Sequence, residues 1–464
     1  MKLKHLLADS PGICFFGSLD IDIAGITYSS KEVQNNFLFA ALKGEKADGF
    51  DYIDEALTRG ASAVLSERNP PPGFAKTWIQ AGDAREAMAL TAANLYGHPS
   101  QELKVIGITG TKGKTTVTYI LESILVQAGF KPGVIGTISY RGPGFDRVAK
   151  RTTPESTDLQ RMMREILDNG GTHCLIEVSS HSLELKRVTG IGFDLAIFTN
   201  LSGEHLDYHK SMDNYFGAKK KLFLIGPKNR MAVINTDNPW GEKLKSQISG
   251  GIISFGLKEP ATVHAQKFTL MEDGLDIQIK FPAGRMSVFS SLLGKPNVYN
   301  ILAAVASALS LNIPIPKIKE GIRSLKGVRG RFQEIQNDKD IKIFVDYAHS
   351  DDALKNLLET ANELNSNKTI VVFGAGGDRD KSKRARMGKV AGRLADWTII
   401  TSDNPRSEDP QAIIDDIEAG IKTTGLKKYE IIPDRRKAIA KALRTASAGD
   451  YVLIAGKGHE DYQI

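Results

Sequence analysis

The residues best suited to binding a polyphosphate lie in segment 105–117, which reads VIGITGTKGKTTV. Gly110 and Gly113 would let the backbone fold closely around an anion, and the amides of the following helix start would point toward it. Lys114 would reach the β- and γ-phosphates of a nucleotide, and the Thr115 hydroxyl would bind Mg²⁺. The order of strand, glycines, Lys-Thr and helix therefore predicts a shortened phosphate loop rather than a simple glycine turn.

The length and composition predict a globular protein with several domains. The chain has 464 residues, of which 41% are hydrophobic and 25% are charged, and this length predicts two to four domains. Cys14 and Cys174 give no disulfide framework and indicate a reducing compartment. No segment has the form of a signal peptide or of a membrane span. A cytoplasmic protein without membrane insertion is therefore expected.

The charge balance is basic, with a net charge of +7 and a sequence pI near 9.0. Most basic residues are scattered, and neither an RNA-binding motif nor a pattern of stacking aromatic residues accompanies them. Small polyanionic substrates or a solvated basic surface explain the balance without a nucleic-acid partner.

Strands and helices alternate through the central part of the chain, from about 104 to 331, and this alternation predicts a parallel sheet. Glu177 lies near the carboxyl end of the strand at 174–178, and His205 follows the strand at 195–199. Ligands bind at the carboxyl ends of parallel strands, so both residues should share an edge with the phosphate loop. Glu177 with Thr115 suits one Mg²⁺. His205 by itself is more simply interpreted as structural, because Mg²⁺ prefers oxygen.

Further polar residues follow the central helical pattern and the strands of the C-terminal part. Asn297 or Asn300 could cap the alanine-rich helix at 301–310 or contact a nucleotide base, and Arg331 suits a phosphate. Four C-terminal strands, at 343–346, 369–374, 397–401 and 451–455, each end in polar residues. Four such clusters at one sheet edge predict one shared pocket. Residues 1–100 read as a smaller α/β unit, with strands at 25–29, 37–42 and 61–65 and a helix at 49–60.

The chain resembles the Mur ligase family over its whole length, through short motifs that occur in the family's order. These motifs are GTKGKTT (110–116), TTP (152–154), EVSSH (177–181), TNLSGEHLDY (199–208), AK (218–219), KPNVYN (295–300), GRF (330–332), DYAH (346–349), DNPR (403–406) and GKGHE (456–460).

The resemblance implies an α/β protein of three domains. These are a UDP-sugar-binding domain at 1–100, a central ATP-binding domain with a P-loop-type parallel sheet at 101–331, and a Rossmann-like amino-acid-binding domain at 332–464. The last domain is expected to lack the family's final helix, because the sequence ends at Ile464. The implied activity is an ATP-dependent, ADP-forming ligation in peptidoglycan synthesis, which adds meso-diaminopimelate to UDP-MurNAc-L-Ala-D-Glu through an acyl phosphate.

The same resemblance assigns residues to each ligand. For ATP, which is a co-substrate with Mg²⁺, these are Gly110, Thr111, Lys112, Gly113, Lys114, Thr115, Thr116, Asn297 and Arg331. For the UDP-sugar they are Ser30, Glu45, Lys46, Ala47, Thr152, Thr153, Ser179 and Arg187. For the amino acid they are Arg379, Asp403, Asn404, Pro405, Arg406, Gly456 and Glu460.

The resemblance also implies the catalytic and metal-binding groups. Thr115 and Glu177 would hold one Mg²⁺, and His205 with a carbamylated Lys219 would hold a second, so the family context reverses the structural interpretation of His205. Lys114, Lys219, Glu177 and His205 form the implied catalytic set. Arg406 indicates meso-diaminopimelate, since an arginine can grip a distal carboxylate through two hydrogen bonds and family members that add lysine lack this arginine.

Two short segments differ from the family's pattern, and several alternatives stay open. Segment 29–31 reads Ser-Ser-Lys where the family has Asp-Ser-Arg, and segment 350–352 reads Ser-Asp-Asp where it has Thr-Pro-Asp. The alternatives are addition of L-lysine or another diamino acid and a non-catalytic ATP-binding relative. A folylpolyglutamate synthase and a D-glutamate-adding ligase are nearer rivals, and the motifs DNPR and GKGHE argue against both. The sequence does not indicate an oligomeric state.

Overall fold

The computed structural model describes residues 1–44, 47–226, 230–364, 366–425 and 428–464, whose strands form three sheets. The first sheet has the order β1-β5-β4-β3-β2, and its strands are parallel except for the β1–β5 pair. Its elements are α1 (Leu3–Leu6), β1 (Ile13–Phe16), β2 (Gly25–Thr27), β3 (Phe37–Ala40), α2 (Ile53–Thr58), β4 (Ala61–Ser66), β5 (Thr77–Ala81) and α3 (Ala84–Leu95).

The central sheet has 11 strands in the order β16-β15-β14-β13-β12-β11-β6-β10-β7-β8-β9. Its middle strands, from β7 to β14, are parallel, whereas the strands at both ends are antiparallel. The elements are β6 (Lys104–Thr109), α4 (Lys114–Gln127), β7 (Pro132–Ile135), β8 (Ser139–Gly142), β9 (Phe145–Val148), α5 (Ser156–Asp168), β10 (His173–Glu177), α6 (Ser180–Glu184), β11 (Leu195–Phe198), α7 (Leu206–His209), α8 (Met212–Lys220), β12 (Met231–Asn235), α9 (Pro239–Lys245), β13 (Gly251–Gly256), β14 (Val263–Met271), β15 (Gly274–Phe281), β16 (Gly284–Ser290), α10 (Lys295–Ser310) and α11 (Ile315–Ser324).

The third sheet has the order β17-β18-β22-β19-β20-β21 and is parallel except for the β17–β18 pair. Across the described ranges, every helix is too short or too polar to traverse a bilayer. The elements are β17 (Gln333–Ile335), β18 (Lys342–Asp346), α12 (Asp351–Glu363), β19 (Thr369–Phe373), α13 (Ser382–Leu394), β20 (Trp397–Ile400), α14 (Pro410–Lys422), β21 (Tyr429–Ile431), α15 (Arg435–Thr445) and β22 (Tyr451–Ala455).

Strand β6 is buried on both faces, which explains why its sequence is a continuous apolar run. Val105 packs into the core on one side of the sheet, whereas Ile106 and Ile108 pack on the other side with α4 and α10. Burial of each such aliphatic side chain contributes about 1.5–3 kcal/mol. The strand is therefore a rigid base from which the glycine loop and α4 extend.

The three-domain α/β fold agrees with the prediction, and so does the parallel centre of the second sheet. The helix predicted at 49–60 is a 3₁₀ turn (Gly49–Tyr52) followed by α2. The helix predicted to begin at Ile301 begins at Lys295. The domain boundaries at 100 and 331 stay predictions.

Candidate active site

The loop between β6 and α4 needs both of its glycines. Gly110 and Gly113 have φ values of +149° and +86°. A Cβ on Gly110 would lie 1.9 Å from Thr199 Oγ1, and one on Gly113 would lie 2.4 Å from Asn300 Oδ1. The loop is thus enclosed by the end of β11 on one side and by α10 on the other.

The residues that follow β11 hold this loop in shape. Asn200 accepts hydrogen bonds from the backbone amides of Thr111 and Lys112, both at 2.9 Å. Thr199 Oγ1 donates to the carbonyl of Lys112 at 2.6 Å. Thr199 and Asn200 therefore stabilise the conformation of the phosphate loop. The sequence motifs did not predict this role.

A half-buried and a buried lysine, Lys114 and Lys219, meet at the first residue of the loop. Lys114 Nζ and Lys219 Nζ donate to Gly110 O at 2.8 and 2.9 Å, and Lys219 is 1% exposed. Burial lowers the pKa of Lys114 to about 8. Burial and the neighbouring Lys114 hold the pKa of Lys219 well below its usual range. These effects favour the neutral amine form of Lys219, which lies at the end of α8.

Glu177 is fully buried at the end of β10, beside the loop. Its carboxylate accepts from Thr115 Oγ1 and Thr137 Oγ1, both at 2.8 Å, and from the amide of Thr137 at 3.0 Å. Carboxylate and hydroxyl oxygens are the ligands that Mg²⁺ prefers. Within the described ranges no group of three or more His, Cys, Asp or Glu residues could hold a metal. The donor set thus fits a hard cation that keeps phosphate and water ligands.

His205 precedes α7 with a positive φ of +59°. Burial lowers the pKa of its imidazole to about 3, so the ring is neutral at neutral pH. The ring centroid lies 5.0 Å from that of His181 and 6.0 Å from that of Tyr215. A neutral ring nitrogen is available as a ligand, and it faces the same cavity as Lys114.

A cavity of about 320 Å³ opens over the loop, with walls from the central and C-terminal domains. Gly110 and Glu177 lie directly behind its wall, where they accept hydrogen bonds from the lining residues Lys114 and Thr115, and Lys219 in turn contacts Gly110. The sequence-predicted residues that line the cavity are Thr111, Lys112, Gly113, Lys114, Thr115, Thr116, Thr152, His205, Asn297 and Arg331.

Asn297 and Asn300 lie inside α10, so the prediction that one of them caps this helix is wrong. The residue that precedes α10 is Gly294, with φ +85°. Asn297 donates to Leu293 O at 2.7 Å and accepts from Asn300 at 2.8 Å. Both side chains instead line the cavity.

Arg331 crosses from the domain linker to the phosphate loop. Its Nη2 donates to Thr115 Oγ1 at 3.2 Å, and its guanidinium lies 4.8 Å from the centre of the Tyr347 ring. Its Nε is buried and has no hydrogen-bond partner among the described residues. This orphaned donor, together with the cavity next to it, suits an anionic ligand.

Lys112, Glu204 and His349 form a cluster between the central and C-terminal domains that sequence reasoning missed. Lys112 Nζ contacts Glu204 at 2.9 Å and Ser350 Oγ at 3.1 Å, and His349 Nε2 lies 3.2 Å from Glu204. Although burial raises the pKa of Glu204, Lys112 and His349 hold it well below its usual range. The DYAH motif indicated His349 as a polar residue at a strand end, but no sequence pattern identified Glu204 as its partner.

The residues assigned to the UDP-sugar fall into two groups. Thr153, Ser179 and Arg187 lie together, since Thr153 Oγ1 is 3.3 Å from Ser179 Oγ and Arg187 Nη1 donates to Thr153 O at 3.1 Å. Ser30 lies in the first domain, where its hydroxyl donates to Glu55 at 2.7 Å. Ala47 follows Glu45 and Lys46, which lie outside the described residues.

Three arginines that the sequence reading did not combine surround one buried carboxylate. Glu155, whose side chain is 5% exposed, lies 2.7 Å from Arg151, 2.9 Å from Arg187 and 3.4 Å from Arg85. Arg85 comes from α3 of the first domain, so the cluster joins two domains. Its excess of positive charge lies next to Thr153 and suits an anionic substrate.

The four polar clusters at the C-terminal strand ends, which the sequence predicts to share one pocket, are joined by hydrogen bonds. Tyr347 donates to Glu460 Oε1 at 3.2 Å, and Asn404 Nδ2 donates to Glu460 Oε2 at 3.3 Å. Arg406 Nη1 donates to Gly377 O at 2.6 Å, which links the second cluster. Pro405 lies between Asn404 and Arg406 in the same loop.

Asp403 and Gly456 are also in close contact in this pocket, because a Cβ on Gly456 would lie 2.6 Å from Asp403 Oδ2. Arg379 is exposed in the loop after β19. The structure thus brings Asp403, Asn404, Arg406, Gly456 and Glu460 to one edge of the third sheet, and their role in binding an amino acid stays a prediction.

Family models match most of the chain. Residues 22–96 match the Mur ligase family catalytic domain, residues 108–308 match the Mur ligase middle domain, and residues 330–458 match the Mur ligase glutamate ligase domain.

Individual proteins resemble the chain over nearly its full length. It is 44% identical to the UDP-N-acetylmuramoyl-L-alanyl-D-glutamate--2,6-diaminopimelate ligase of Geobacter metallireducens, over 97% of this chain and 92% of that protein. A solved structure of a ligase of the same name has a TM-score of 0.71 and 31% identity, and covers 100% of this chain and 94% of that one. A MurF ligase from Thermotoga maritima in complex with ADP has a TM-score of 0.66 at 22% identity, covers 93% of each chain and shows a shared fold.

Proposed function

This chain belongs to the Mur ligase family, and we propose that it joins meso-diaminopimelate to UDP-MurNAc-L-Ala-D-Glu with cleavage of ATP to ADP and phosphate. The contact that carries this proposal is made by Tyr347, which lines the cavity over the phosphate loop and also donates a hydrogen bond to Glu460. The nucleotide cavity and the C-terminal pocket are therefore neighbours, and an activated acyl group in one can meet an amine in the other.

The reaction needs an acyl phosphate, because a free carboxylate is a poor acyl donor. The D-glutamyl carboxylate attacks the γ-phosphorus, ADP leaves, and the amine then attacks the acyl carbon and releases phosphate. Lys114 and Arg331 would offset the charge of the phosphates, since both are cations beside the loop. Thr115 and Glu177 would hold Mg²⁺, which supplies charge neutralisation at the phosphates.

Lys219 would act as a carbamate. A neutral lysine amine attacks CO₂, and the loss of one proton leaves a carboxylate-like group on Nζ. Burial beside Lys114 favours the neutral amine that this step needs. The carbamate oxygens, together with the neutral ring of His205, would form a second set of metal ligands at the loop.

UDP-MurNAc-L-Ala-D-Glu, the acyl donor, is anionic, and the cluster of Thr153, Ser179 and Arg187 would bind its sugar-peptide part. The excess arginine charge around Glu155 supports this placement. The phosphate loop lies on the other side of Glu177, whose backbone carbonyl accepts from Thr153 at 2.8 Å. The two sites thus share one strand end.

Arg406 supports meso-diaminopimelate as the amino acid. A guanidinium can bind a distal carboxylate through two hydrogen bonds, which lysine and ornithine cannot accept because they lack that group. The partners are accordingly small molecules, and we place the reaction in the cytoplasm, where ATP is supplied.

The test is ADP release with UDP-MurNAc-L-Ala-D-Glu and each of meso-diaminopimelate, L-lysine and L-ornithine. We expect turnover with meso-diaminopimelate at the highest kcat/KM. A preference for L-lysine would contradict the assigned specificity. ATP binding without turnover with any of the three amino acids would support a non-catalytic relative instead.

A further inference from the structure

Glu155 occupies the N-cap position of α5, yet its side chain points away from the helix. Within the part of the chain that the structure describes, its carboxylate makes no capping hydrogen bond to α5. Its Oε1 lies 2.7 Å from Arg151 Nη1 and 2.9 Å from Arg187 Nε, whereas its Oε2 lies 3.4 Å from Arg85 Nη1. One oxygen of this buried carboxylate therefore contacts the central domain, and the other contacts α3 of the first domain.

Arg85 extends this contact to the predicted UDP-sugar residues of the first domain. Its Nη2 donates a hydrogen bond to Lys43 O at 3.3 Å. Lys43 and Asp48 form an antiparallel bridge, and the predicted UDP-sugar residues 45–47 lie between them in the sequence. Arg85 thus joins Glu155 to the base of a segment that the family resemblance assigns to the substrate.

On its other side, Glu155 fixes the position of Arg187 beside Thr153. Arg187 Nη1 donates to Thr153 O at 3.1 Å, and its side chain is only 13% exposed. A guanidinium at this depth needs a neighbouring negative charge. Without the carboxylate, Arg187 would lose its counter-charge and be repelled by Arg85 and Arg151.

We propose that Glu155 is a positioning residue for the acyl donor, because it connects the two groups of UDP-sugar residues through Arg85 and Arg187. Binding of the uridine end in the first domain then orients the D-glutamyl carboxylate toward the phosphate loop. The binding energy of a remote part of the substrate is used in this way to align its reacting group. The proposal rests on the function proposed above and adds to it a residue that links two domains.

The test compares two acyl donors in the wild type and in Glu155→Gln. One is UDP-MurNAc-L-Ala-D-Glu, and the other is 1-phospho-MurNAc-L-Ala-D-Glu, which lacks the uridine monophosphate part. In Glu155→Gln, kcat/KM for the full substrate should fall about tenfold, whereas kcat/KM for the truncated substrate should stay close to the wild-type value. The advantage that the uridine part gives should therefore shrink about tenfold, and a general loss of structure would not change this ratio.

Arg85→Met removes only the first-domain side of the connection and leaves Glu155 paired with Arg151 and Arg187. It should reduce the advantage of the full substrate as Glu155→Gln does, and the double variant should show no further reduction. Thermal unfolding checks that each variant is folded, and Arg85→Met provides the test if Glu155→Gln is not.

Lys186→Met is the matched control, because Lys186 forms other ion pairs between the central domain and α3. Its Nζ lies 2.8 Å from Asp83 and 2.5 Å from Glu86. This variant should keep the wild-type ratio of the two kcat/KM values. The same reduction in Lys186→Met would assign the effect to the domain contact as a whole and overturn the specific role of Glu155.

The remaining outcomes separate this inference from the proposed function. An unchanged ratio in well-folded Glu155→Gln and Arg85→Met would overturn the positioning role, whether both kcat/KM values fall equally or neither falls. Failure of the wild type to turn over UDP-MurNAc-L-Ala-D-Glu with any of the three amino acids would instead overturn the proposed function.

Discussion

Lys114 and Lys219 donate hydrogen bonds to the same carbonyl oxygen, that of Gly110, one from the start of α4 and the other from the end of α8. Two ammonium groups at one acceptor repel each other, and the less costly arrangement keeps one of them neutral. Glu177 and Glu204 oppose the fall in the pKa of Lys114, and Glu204 opposes it for Lys219, whose pKa burial and Lys114 hold well below its usual range. The arrangement therefore favours the ammonium form at Lys114 and the neutral amine at Lys219.

Lys219→Ala should lower kcat by at least about a hundredfold, because it removes the amine that carries the carbamate. Acetate or bicarbonate should restore part of the activity by replacing the missing carboxylate. In labelled bicarbonate, the wild type should give a carbamate carbon resonance that Lys219→Ala lacks.

Lys220→Ala is the matched control for this prediction, since Lys220 is the next residue of α8 and contacts Gln247 at 3.0 Å on the surface. It should keep both the resonance and the activity. Equal rates for Lys219→Ala and the wild type would remove the carbamate from the mechanism.

ATP affinity should fall as the pH rises through about 8, because Lys114 of the free enzyme loses its proton there. Bound phosphates favour the protonated form, so binding takes up a proton at alkaline pH and the affinity falls by up to about tenfold per pH unit. Calorimetry in buffers of different ionisation heat would count this proton. Lys114→Met should bind ATP weakly with a flat profile, and a sloping profile in that variant would assign the proton to another group.

The central fold could be predicted because its strands are buried on both faces. Residues 105–108 and 195–198 are short apolar runs followed by polar residues, and the structure places both strands where the pattern indicates. Strands β14 to β16 were missed, although β15 alternates buried and exposed residues with a period of two. Alternating polar and apolar residues predict a strand less strongly than a continuous apolar run does. Such a strand can be assigned with more certainty only when its antiparallel partner strands are also identified.

The candidate site could be predicted where residues follow strand ends, and not where side chains from different domains meet. Glu177 and His205 could be placed at the loop from sheet geometry alone. The contact of Lys112 with Ser350 joins residues 238 positions apart. No local pattern encodes such a pair, because it depends on how the C-terminal domain packs against the central one.

Glu177→Gln should weaken the binding of ATP in the presence of Mg²⁺ by at least about tenfold while leaving metal-free ATP binding unchanged. The amide keeps an acceptor for Thr115 but removes the charge that a hard cation requires. Glu184→Gln, on the neighbouring helix α6, changes a carboxylate that contacts Lys221 at 2.8 Å and should leave both affinities unaltered. Equal losses with and without Mg²⁺ would mean that Glu177 supports the loop rather than a metal.

Gly113→Ala and Gly129→Ala separate backbone strain from steric contact, because both glycines have φ +86°. A Cβ on Gly113 would lie 2.4 Å from Asn300 Oδ1, whereas one on Gly129 would meet no atom of the described residues within 4 Å. Gly129→Ala should cost about 1–2 kcal/mol of unfolding free energy from strain alone. Gly113→Ala should cost about 1–3 kcal/mol more and weaken ATP binding. Urea unfolding with ATP titration measures both effects, and equal unfolding free energies for the two variants would show that Asn300 moves aside without cost.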